Sequence, residues 1–212
     1  MTNILDALNW RYATKKFDSN KKIGAQTWEK IEEAMQLSPS SFGLQPWKFV
    51  VITDQKTKEA LLPLSWDQSQ VIDCSHLVVM CRRTDVDESL ISHFIEKTAH
   101  TRGQQLSELE HYKSMLLGFA ERLNEEEISQ WAAKQVYIAL GQTMATCAMM
   151  QVDTCPMEGF SSEGYDKVLG LRERNLASVV LLPCGYRSEE DPYARAAKVR
   201  FEKEEVIMNL SI

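Results

Sequence analysis

The chain has 212 residues, of which 44% are hydrophobic and 25% charged, and 30 Asp+Glu against 24 Lys+Arg give a formal net charge of −6. A globular chain of this length buries roughly 70% of its unfolded surface, so it can build a core without disulfides, and its ordinary composition excludes disordered and fibrous proteins. The acidic balance argues against a nucleic-acid-binding protein, because phosphate backbones require a basic face.

Hydrophobic periodicity predicts at least six helices and three or four strands. The helices are expected over residues 3–12, 26–37, 56–62, 88–101, 104–123, 124–149 and 162–170. The strands are expected over residues 47–53, 76–81 and 176–184, the second of them apolar throughout and therefore buried on both faces. In the tail 187–212, one further edge strand could be built from Val206, Ile207, Leu210 and Ile212.

The chain shows no linker, internal repeat or low-complexity segment, which predicts a single α+β domain over residues 1–212. Residues 135–152 form the longest stretch without a charged residue. Five polar side chains interrupt this stretch, so it predicts a buried helix and no membrane span. That helix, together with a tail that has no core of its own, indicates an oligomer.

The five cysteines are an odd number without a C-x-x-C pair, which argues against a disulfide scaffold. Four of them lie in apolar runs, and Cys155 is the exception. The first residues carry neither the basic nor the apolar segment that begins a secretory signal. We therefore expect a reducing, cytoplasmic location.

Several catalytic motifs are absent from the sequence. It has no G-x-G-x-x-G or G-x-x-x-x-G-K-[ST] phosphate cradle, no H-E-x-x-H and no G-x-S-x-G. The four histidines are scattered, so no metal site is expected. A bound phosphate would therefore need cationic side chains instead of a glycine-rich loop.

Cations occur near both ends of the chain. Arg11, Lys15 and Lys16 follow the first predicted helix, where they either complement its dipole or grip a phosphate. Lys198 and Arg200, taken alone, are a solvated charge pair. Neither group by itself decides between a structural and a ligand-binding role.

Two turns also offer polar groups. Residues 38–47 supply hydroxyls, an amide and backbone, and residues 155–160 place Pro and Gly three positions apart. Such turns usually only connect elements, but their backbone groups could also face a heteroaromatic ligand.

Taken together and in this order, these segments resemble the FMN-dependent nitroreductase family, in particular its oxygen-insensitive NAD(P)H nitroreductases and dihydropteridine-reductase-like members. The resemblance runs from about residue 3 to about residue 202. It rests on the matches R-Y-A-T-K-K-F-D (11–18), S-P-S-S-F-G-L-Q-P-W-K-F (38–49), D-C-S-H-L-V-V (73–79), W-A-A-K-Q-V-Y (131–137), P-M-E-G-F (156–160) and K-V-R (198–200).

The resemblance implies a fold in which helices surround a central mixed β-sheet of four to five strands and the C-terminal segment extends as an arm. It also implies a homodimer with two FMN molecules at the subunit interface. The implied activity is that of an oxidoreductase that passes a hydride from NADH or NADPH through flavin N5 to a small-molecule acceptor, a nitroaromatic or quinone, in a ping-pong cycle. No catalytic acid or base is expected, because the flavin carries the chemistry.

The resemblance also implies where FMN is held. The phosphate and the nearby cofactor edge are assigned to Arg11, Tyr12, Ala13, Lys15, Lys198 and Arg200, with Lys15 on the pyrimidine side of the ring. The other subunit contributes Pro39, Ser40 and Ser41, and the turn behind the ring near N5 comprises Pro156, Met157, Glu158 and Gly159. Phe42 and residues 104–123 are expected to line the acceptor pocket.

One stretch departs from the family pattern. Many members have Asn where this chain has Asp67, and some have Lys where it has Gln70, both near the flavin pyrimidine. An anionic Asp67 would oppose a negative flavin, so we expect it to hydrogen-bond elsewhere or to accept from flavin N3–H. Gln70 supplies a hydrogen bond but no charge, which leaves Lys15 as the cation expected on that edge.

Two other functions fit the same residues. The first is another flavin enzyme on this scaffold, dehalogenating or flavin-modifying, which usually needs lids or extra residues that the sequence does not show. The second is a flavin-binding protein without catalytic activity.

Overall fold

The apolar runs of the sequence form the centre of one sheet in a computed structural model, which describes residues 3–210. Its strands are β1 (Trp47–Ile52), β2 (His76–Arg83), β3 (Asp153–Thr154) and β4 (Leu176–Gly185). They lie in the order β1-β2-β4-β3, and each neighbouring pair is antiparallel.

Helices surround the sheet, and six of the seven predicted helices begin and end within two residues of the predicted positions, whereas the short helices Gln70–Asp73 and Lys203–Val206 were not predicted. They are α1 (Ile4–Trp10), α2 (Ala25–Gln36), α3 (Gln55–Leu61), α4 (Gln70–Asp73), α5 (Glu88–Arg102), α6 (Glu110–Glu121), α7 (Glu125–Met149), α8 (Ser162–Val168) and α9 (Lys203–Val206). The long α7 begins at a capping box, in which the Asn124 and Glu127 side chains each accept from the other's backbone N–H. The predicted helix 104–123 is instead a 3₁₀ turn followed by α6, because a second capping box at Gln105 and Glu108 starts a new turn there.

The core has one layer on each face of the sheet, because successive side chains of a strand point to opposite faces. On β2, Val78 and Met80 pack with residues of α2 and α7. Leu77, Val79 and Cys81 pack on the other face with residues of α3, α4 and α8. The prediction that this strand is buried on both faces is therefore confirmed. Apolar side chains of α5 and α6 form a third cluster with Leu44.

The strand predictions differ from the structure in three respects. The sheet is antiparallel and not mixed, and the parallel pairing within residues 3–210 is the isolated bridge between Ala13 and Thr154. The two-residue β3 is too short to give a periodicity signal. The predicted tail strand is wrong, because Glu202 caps a turn of helix that takes in Val206, and Ile207 and Leu210 lie outside any strand. Ile212, also assigned to that strand, lies outside the described residues.

Among the helices of residues 3–210, none has both the length and the apolar character needed to cross a bilayer. The charge-free stretch forms most of α7, whose inner face is buried against the sheet as predicted. Its outer face still exposes Tyr137, Ile138 and Met149. All five cysteines are buried and carry free thiols.

Candidate functional site

A cavity of about 490 Å³ opens where the two ends of the chain meet. We call it the cation pocket; it is lined by residues 9–13 and 15 from one end and by residues 193, 194 and 196–200 from the other. It brings together six residues that the sequence predicted to bind the cofactor: Arg11, Tyr12, Ala13, Lys15, Lys198 and Arg200.

The first wall of the pocket forms where α1 ends. Arg11 has extended backbone (φ −71°, ψ 146°), and its N–H still donates to the carbonyl of Ala7. The chain then runs between β3 and the segment after β4, because Thr14 N–H donates to the Thr154 carbonyl (3.2 Å) and Ser188 N–H to the Lys16 carbonyl (2.9 Å). Arg11 is the C-cap residue of α1, whose last turn contains no basic residue, and Arg11 lines the pocket.

The charges of the cation pocket are not balanced by the protein itself. Arg11 Nε is buried without a hydrogen-bond partner. Burial, followed by repulsion from Arg200, lowers the pKa of Arg11. The pKa of Lys198 is lowered by burial and then by Arg200 and Arg11. Within residues 3–210, none of these three cations forms an ion pair with a carboxylate.

Such an arrangement suits a phosphate group. The Lys198 ammonium donates to the Arg11 carbonyl, which holds the two chain ends side by side. A phosphate carries nearly two negative charges and several acceptor oxygens, so it would relieve the repulsion and give Arg11 Nε a partner. The residues present therefore fit the phosphate of FMN.

Lys15 lies beside the thiol of Cys155, and Gln70 is buried at the first residue of α4. The Lys15 ammonium lies 4.0 Å from Cys155 Sγ. Burial and then the charge of Asp191 raise the pKa of this thiol, whereas the charges of Lys15 and Arg11 lower it, and the net shift is upward. Sequence analysis did not assign Cys155 a role, although its position outside an apolar run was the signal that set it apart.

The turn 156–160 packs against the loop that contains Asp67. A Cβ on Gly159 would lie 2.7 Å from Trp66 Cζ3, so this position requires glycine for a close approach. Gln68 Nε2 donates to the Gly159 carbonyl at 3.0 Å. Trp66 and Asp67 both have left-handed backbone (φ +54° and +55°), a conformation that costs energy outside glycine.

The Asp67 side chain lies exposed in this loop and accepts no hydrogen bond from residues 3–210. Of the two expectations for Asp67, a hydrogen bond elsewhere in the chain is therefore not seen. Acceptance from flavin N3–H stays a prediction.

The same turn is held from two further sides. Met157 exchanges backbone hydrogen bonds with Leu181 of β4 (2.9 and 3.0 Å). The exposed Glu158 carboxylate accepts from the Tyr137 hydroxyl on α7. Burial and this hydrogen bond raise the pKa of Tyr137 to about 12. Sequence analysis missed Tyr137, because nothing in its position on the helix indicates contact with a turn 21 residues later.

Residues 38–45, which we call the serine turn, lie outside the cation pocket of the same chain. Ser41 N–H donates to Gln135 Oε1 on α7 at 2.8 Å. The Phe42 carbonyl accepts from the Tyr112 hydroxyl at 2.8 Å, and the Phe42 ring meets Phe119 edge to face at 4.9 Å. Phe42 thus contacts the segment 104–123, as its assigned acceptor role requires.

One chain therefore does not bring the serine turn to the phosphate contacts. The resemblance assigned Pro39, Ser40 and Ser41 to a cofactor held by the other subunit, and that assignment stays a prediction.

Comparison with known proteins agrees with this geometry. A sequence model described as "Nitroreductase family" matches residues 8–186. A protein of Staphylococcus aureus that is provisionally named an NAD(P)H nitroreductase is 36% identical over 197 residues, covering 89% of this chain and 88% of its own length. The chain belongs to the nitroreductase family. A similarly named protein of Staphylococcus haemolyticus is 36% identical over 212 residues, covering 96% of this chain and 95% of its own length.

Solved structures support the same fold for this nitroreductase. A provisionally assigned nitroreductase of Bacillus subtilis superposes with a TM-score of 0.87 at 22% identity, covering 97% of this chain and 98% of its own. One from Exiguobacterium sibiricum, solved in complex with FMN, superposes with a TM-score of 0.84 at 22% identity, covering 99% of this chain and 98% of its own. The predicted α+β nitroreductase fold and the prediction of an oxidoreductase are confirmed.

Proposed function

We propose that this nitroreductase-family protein binds FMN and uses it to oxidise NADH or NADPH and to reduce nitroaromatic or quinone-type acceptors. The observation that carries the proposal is the cation pocket, in which Arg11, Lys198 and Arg200 come together from both chain ends and the buried Arg11 Nε has no hydrogen-bond partner within residues 3–210. The names of the staphylococcal relatives and the FMN bound by the Exiguobacterium protein support it. When bound, FMN supplies the hydride-transfer chemistry that links the two substrates in a ping-pong cycle.

The protein's own residues bind and orient the cofactor. Arg11, Lys198 and Arg200 hold the phosphate through charge-assisted hydrogen bonds. We assign Lys15, which lies beside Cys155, and Gln70 to the pyrimidine edge of the ring, where Lys15 would favour a negative charge on the reduced flavin. No side chain is assigned as an acid or base.

The turn 156–159 is proposed to support the ring from behind. Its backbone is held by Leu181, and its Glu158 side chain by Tyr137. A backbone N–H of this turn, fixed in this way, would donate toward flavin N5. Such a contact needs no particular side chain, which suits a turn better than a helix.

We further propose that the protein is one domain that works as a homodimer in the cytoplasm. The arm after residue 196 exposes large apolar side chains at Val199, Phe201, Met208 and Leu210, and α7 exposes Ile138. Several large apolar side chains exposed along one segment are typical of an interaction surface. A second copy would cover the arm and bring its own serine turn to the cofactor.

Purified protein tests the proposed function directly. We expect a yellow protein with flavin absorbance that bleaches when NADH or NADPH is added without oxygen and recovers when a quinone or nitroaromatic follows. Protein that takes up no FMN overturns the proposal. A yellow protein that neither nucleotide reduces indicates flavin binding without this activity.

Sedimentation tests the assembly independently. The expected mass is about twice the 24.3 kDa of one chain. A monomer that retains FMN would contradict a site shared between subunits.

A further inference from the structure

Asp191 is a buried carboxylate, 3% exposed, whose two oxygens are both engaged. Oδ2 accepts from three donors: the N–H groups of Lys15 (2.8 Å) and Lys16 (3.0 Å), and the Tyr12 hydroxyl (3.0 Å). Oδ1 accepts from the N–H of Tyr193 at 2.9 Å. Sequence analysis gave Asp191 no role.

The two oxygens hold the two segments that carry the pocket's cations. Oδ2 fixes residues 12–16, which continue from Arg11 and include Lys15. Oδ1 caps the 3₁₀ turn Pro192–Arg195, from which the chain runs on to Lys198 and Arg200. Asp191 thereby joins two stretches that lie 176 residues apart in sequence.

We infer that Asp191 is the positioning residue of the phosphate grip: its carboxylate sets the spacing of the cations on the two chain ends without neutralising any of them. Four neutral donors occupy its oxygens, and within residues 3–210 it forms no ion pair with a side chain of Arg11, Lys15, Lys198 or Arg200. The cations therefore stay available to the phosphate. This inference rests on the proposed function, because it assigns Asp191 to the same cofactor.

The protonation states agree with this role. Burial raises the pKa of Asp191. The hydrogen bonds from the N–H groups of Lys16, Tyr193 and Lys15 and from the Tyr12 hydroxyl lower this pKa by more than burial raises it. The net shift is therefore downward, and the carboxylate is ionised at neutral pH. Burial, followed by the hydrogen bond to Asp191, raises the pKa of Tyr12 to about 12. Tyr12 therefore keeps the proton that it donates.

A buried carboxylate outside the cation pocket provides the control. Asp166 is equally buried, at 3% exposed. Its Oδ1 accepts from the N–H (2.8 Å) and the hydroxyl (2.7 Å) of Ser178, its Oδ2 pairs with Arg172 Nε at 3.4 Å, and it does not line the cation pocket. Substituting either aspartate removes a buried anion with several donors, but only Asp191 connects the cation-bearing segments.

Comparing FMN with riboflavin, which lacks the phosphate, tests the inference. Dissociation constants for both ligands are measured on full-length apoprotein by flavin fluorescence, for the wild type, Asp191→Asn and Asp166→Asn. We expect Asp191→Asn to reduce the preference for FMN over riboflavin about tenfold, with riboflavin affinity little changed. This is the size of effect seen for groups that orient a ligand-binding residue without touching the ligand. Asp166→Asn should leave the preference unchanged even if stability falls.

A milder variant covers the case in which Asp191→Asn does not fold. Tyr12→Phe keeps the ring and removes one of the four donors, so the preference for FMN should fall by about threefold. A preference equal to that of the wild type in the folded variants overturns the inference and leaves the proposed function intact. If the wild type does not prefer FMN to riboflavin, the proposed phosphate-binding site is wrong and so is the inference about Asp191.

Discussion

The cation pocket and the serine turn are both polar regions of the site, yet they differ in how their polar groups are satisfied. In the pocket, Arg11 Nε has no partner and three cations repel one another. In the serine turn, the Ser41 N–H is bound by Gln135, and the Phe42 carbonyl by Tyr112. Because an unpaired buried polar group is costly, the cation pocket is suited to an anionic ligand, whereas these two backbone groups of the serine turn are satisfied within one chain.

The difference predicts two kinds of mutational response. Removing a pocket cation should weaken ligand binding without destabilising the apoprotein, since it relieves repulsion. Removing a hydrogen-bond partner of the serine turn should destabilise the protein without weakening the binding of the FMN phosphate.

Loss of a phosphate cation should have the largest effect. Arg11→Ala and Arg200→Ala should each weaken FMN binding by about 1–3 kcal/mol, roughly 5- to 150-fold in Kd, the range of a charge-assisted hydrogen bond. Titration of apoprotein with FMN measures this. Lys30→Ala, at an exposed position of α2, is the matched loss of charge and should have no effect. Unchanged affinity in both arginine variants would reject the phosphate assignment.

Gly159→Ala tests whether the turn beside the pocket is as tightly packed as the core. The added Cβ would lie 2.7 Å from Trp66 Cζ3, so Trp66 must move, at a cost of about 1–3 kcal/mol in the free energy of unfolding. Gly118 lies in α6, where an added Cβ would meet no atom within 4 Å apart from its chain neighbours and the backbone of its own helix. Gly118→Ala should therefore raise the free energy of unfolding by roughly 0.5–1 kcal/mol. Urea denaturation compares the two; equal effects would show that the contact with Trp66 is not restrictive.

Gln135→Ala addresses the serine turn. It leaves the Ser41 N–H without its acceptor and should cost about 1–2 kcal/mol in stability, with faster exchange of that amide proton. Gln135→Glu retains the acceptor oxygen and should keep the amide protected. If Gln135→Ala weakened FMN binding more than riboflavin binding, the separation between the two regions would fail.

His76 gives the smallest expected effect and checks for acid sensitivity that arises outside both regions. Burial, and then the charges of Lys58 and Lys22, lower its pKa to about 4 from the usual 6.5. The unfolded chain therefore binds this proton first, and stability falls as the pH drops from about 6.5 to about 4. After discounting for partial exposure, we expect a loss of about 1 kcal/mol.

His76→Phe should remove this pH dependence while keeping the stacking on Trp28, whose ring centroid lies 3.9 Å away. Urea midpoints across this pH range provide the measurement. A variant that loses as much stability as the wild type would assign the acid sensitivity to other groups.

Most helices and strands could be predicted, because the hydrophobic patterns and turn residues that specify them lie within a few residues of one another in the sequence. The α7 helix and the β2 strand are of this kind, and both elements were predicted to within two residues at each end. The two-residue β3 is specified only by its neighbour β4, so periodicity could not find it. The tail strand was predicted from apolar residues that gain no strand partner within the described chain.

The candidate site also combines residues that local motifs indicate with residues that only distant contacts bring together. The family motifs grouped Arg11, Lys198 and Arg200, and the structure brings all three to one pocket; that they bind a phosphate stays a prediction. The motifs gave no role to Asp191, Tyr137 or Cys155, whose contacts join segments far apart in sequence. Such residues act through geometry that exists only after folding.

The contact between the Lys198 ammonium and the Arg11 carbonyl spans 187 residues. A loop of this size closes late in folding, because its chain entropy must be overcome before the contact contributes anything. Once formed, the pocket lets a bound dianion act as a reversible crosslink between the two ends, so saturating ligand should slow unfolding that begins at either terminus.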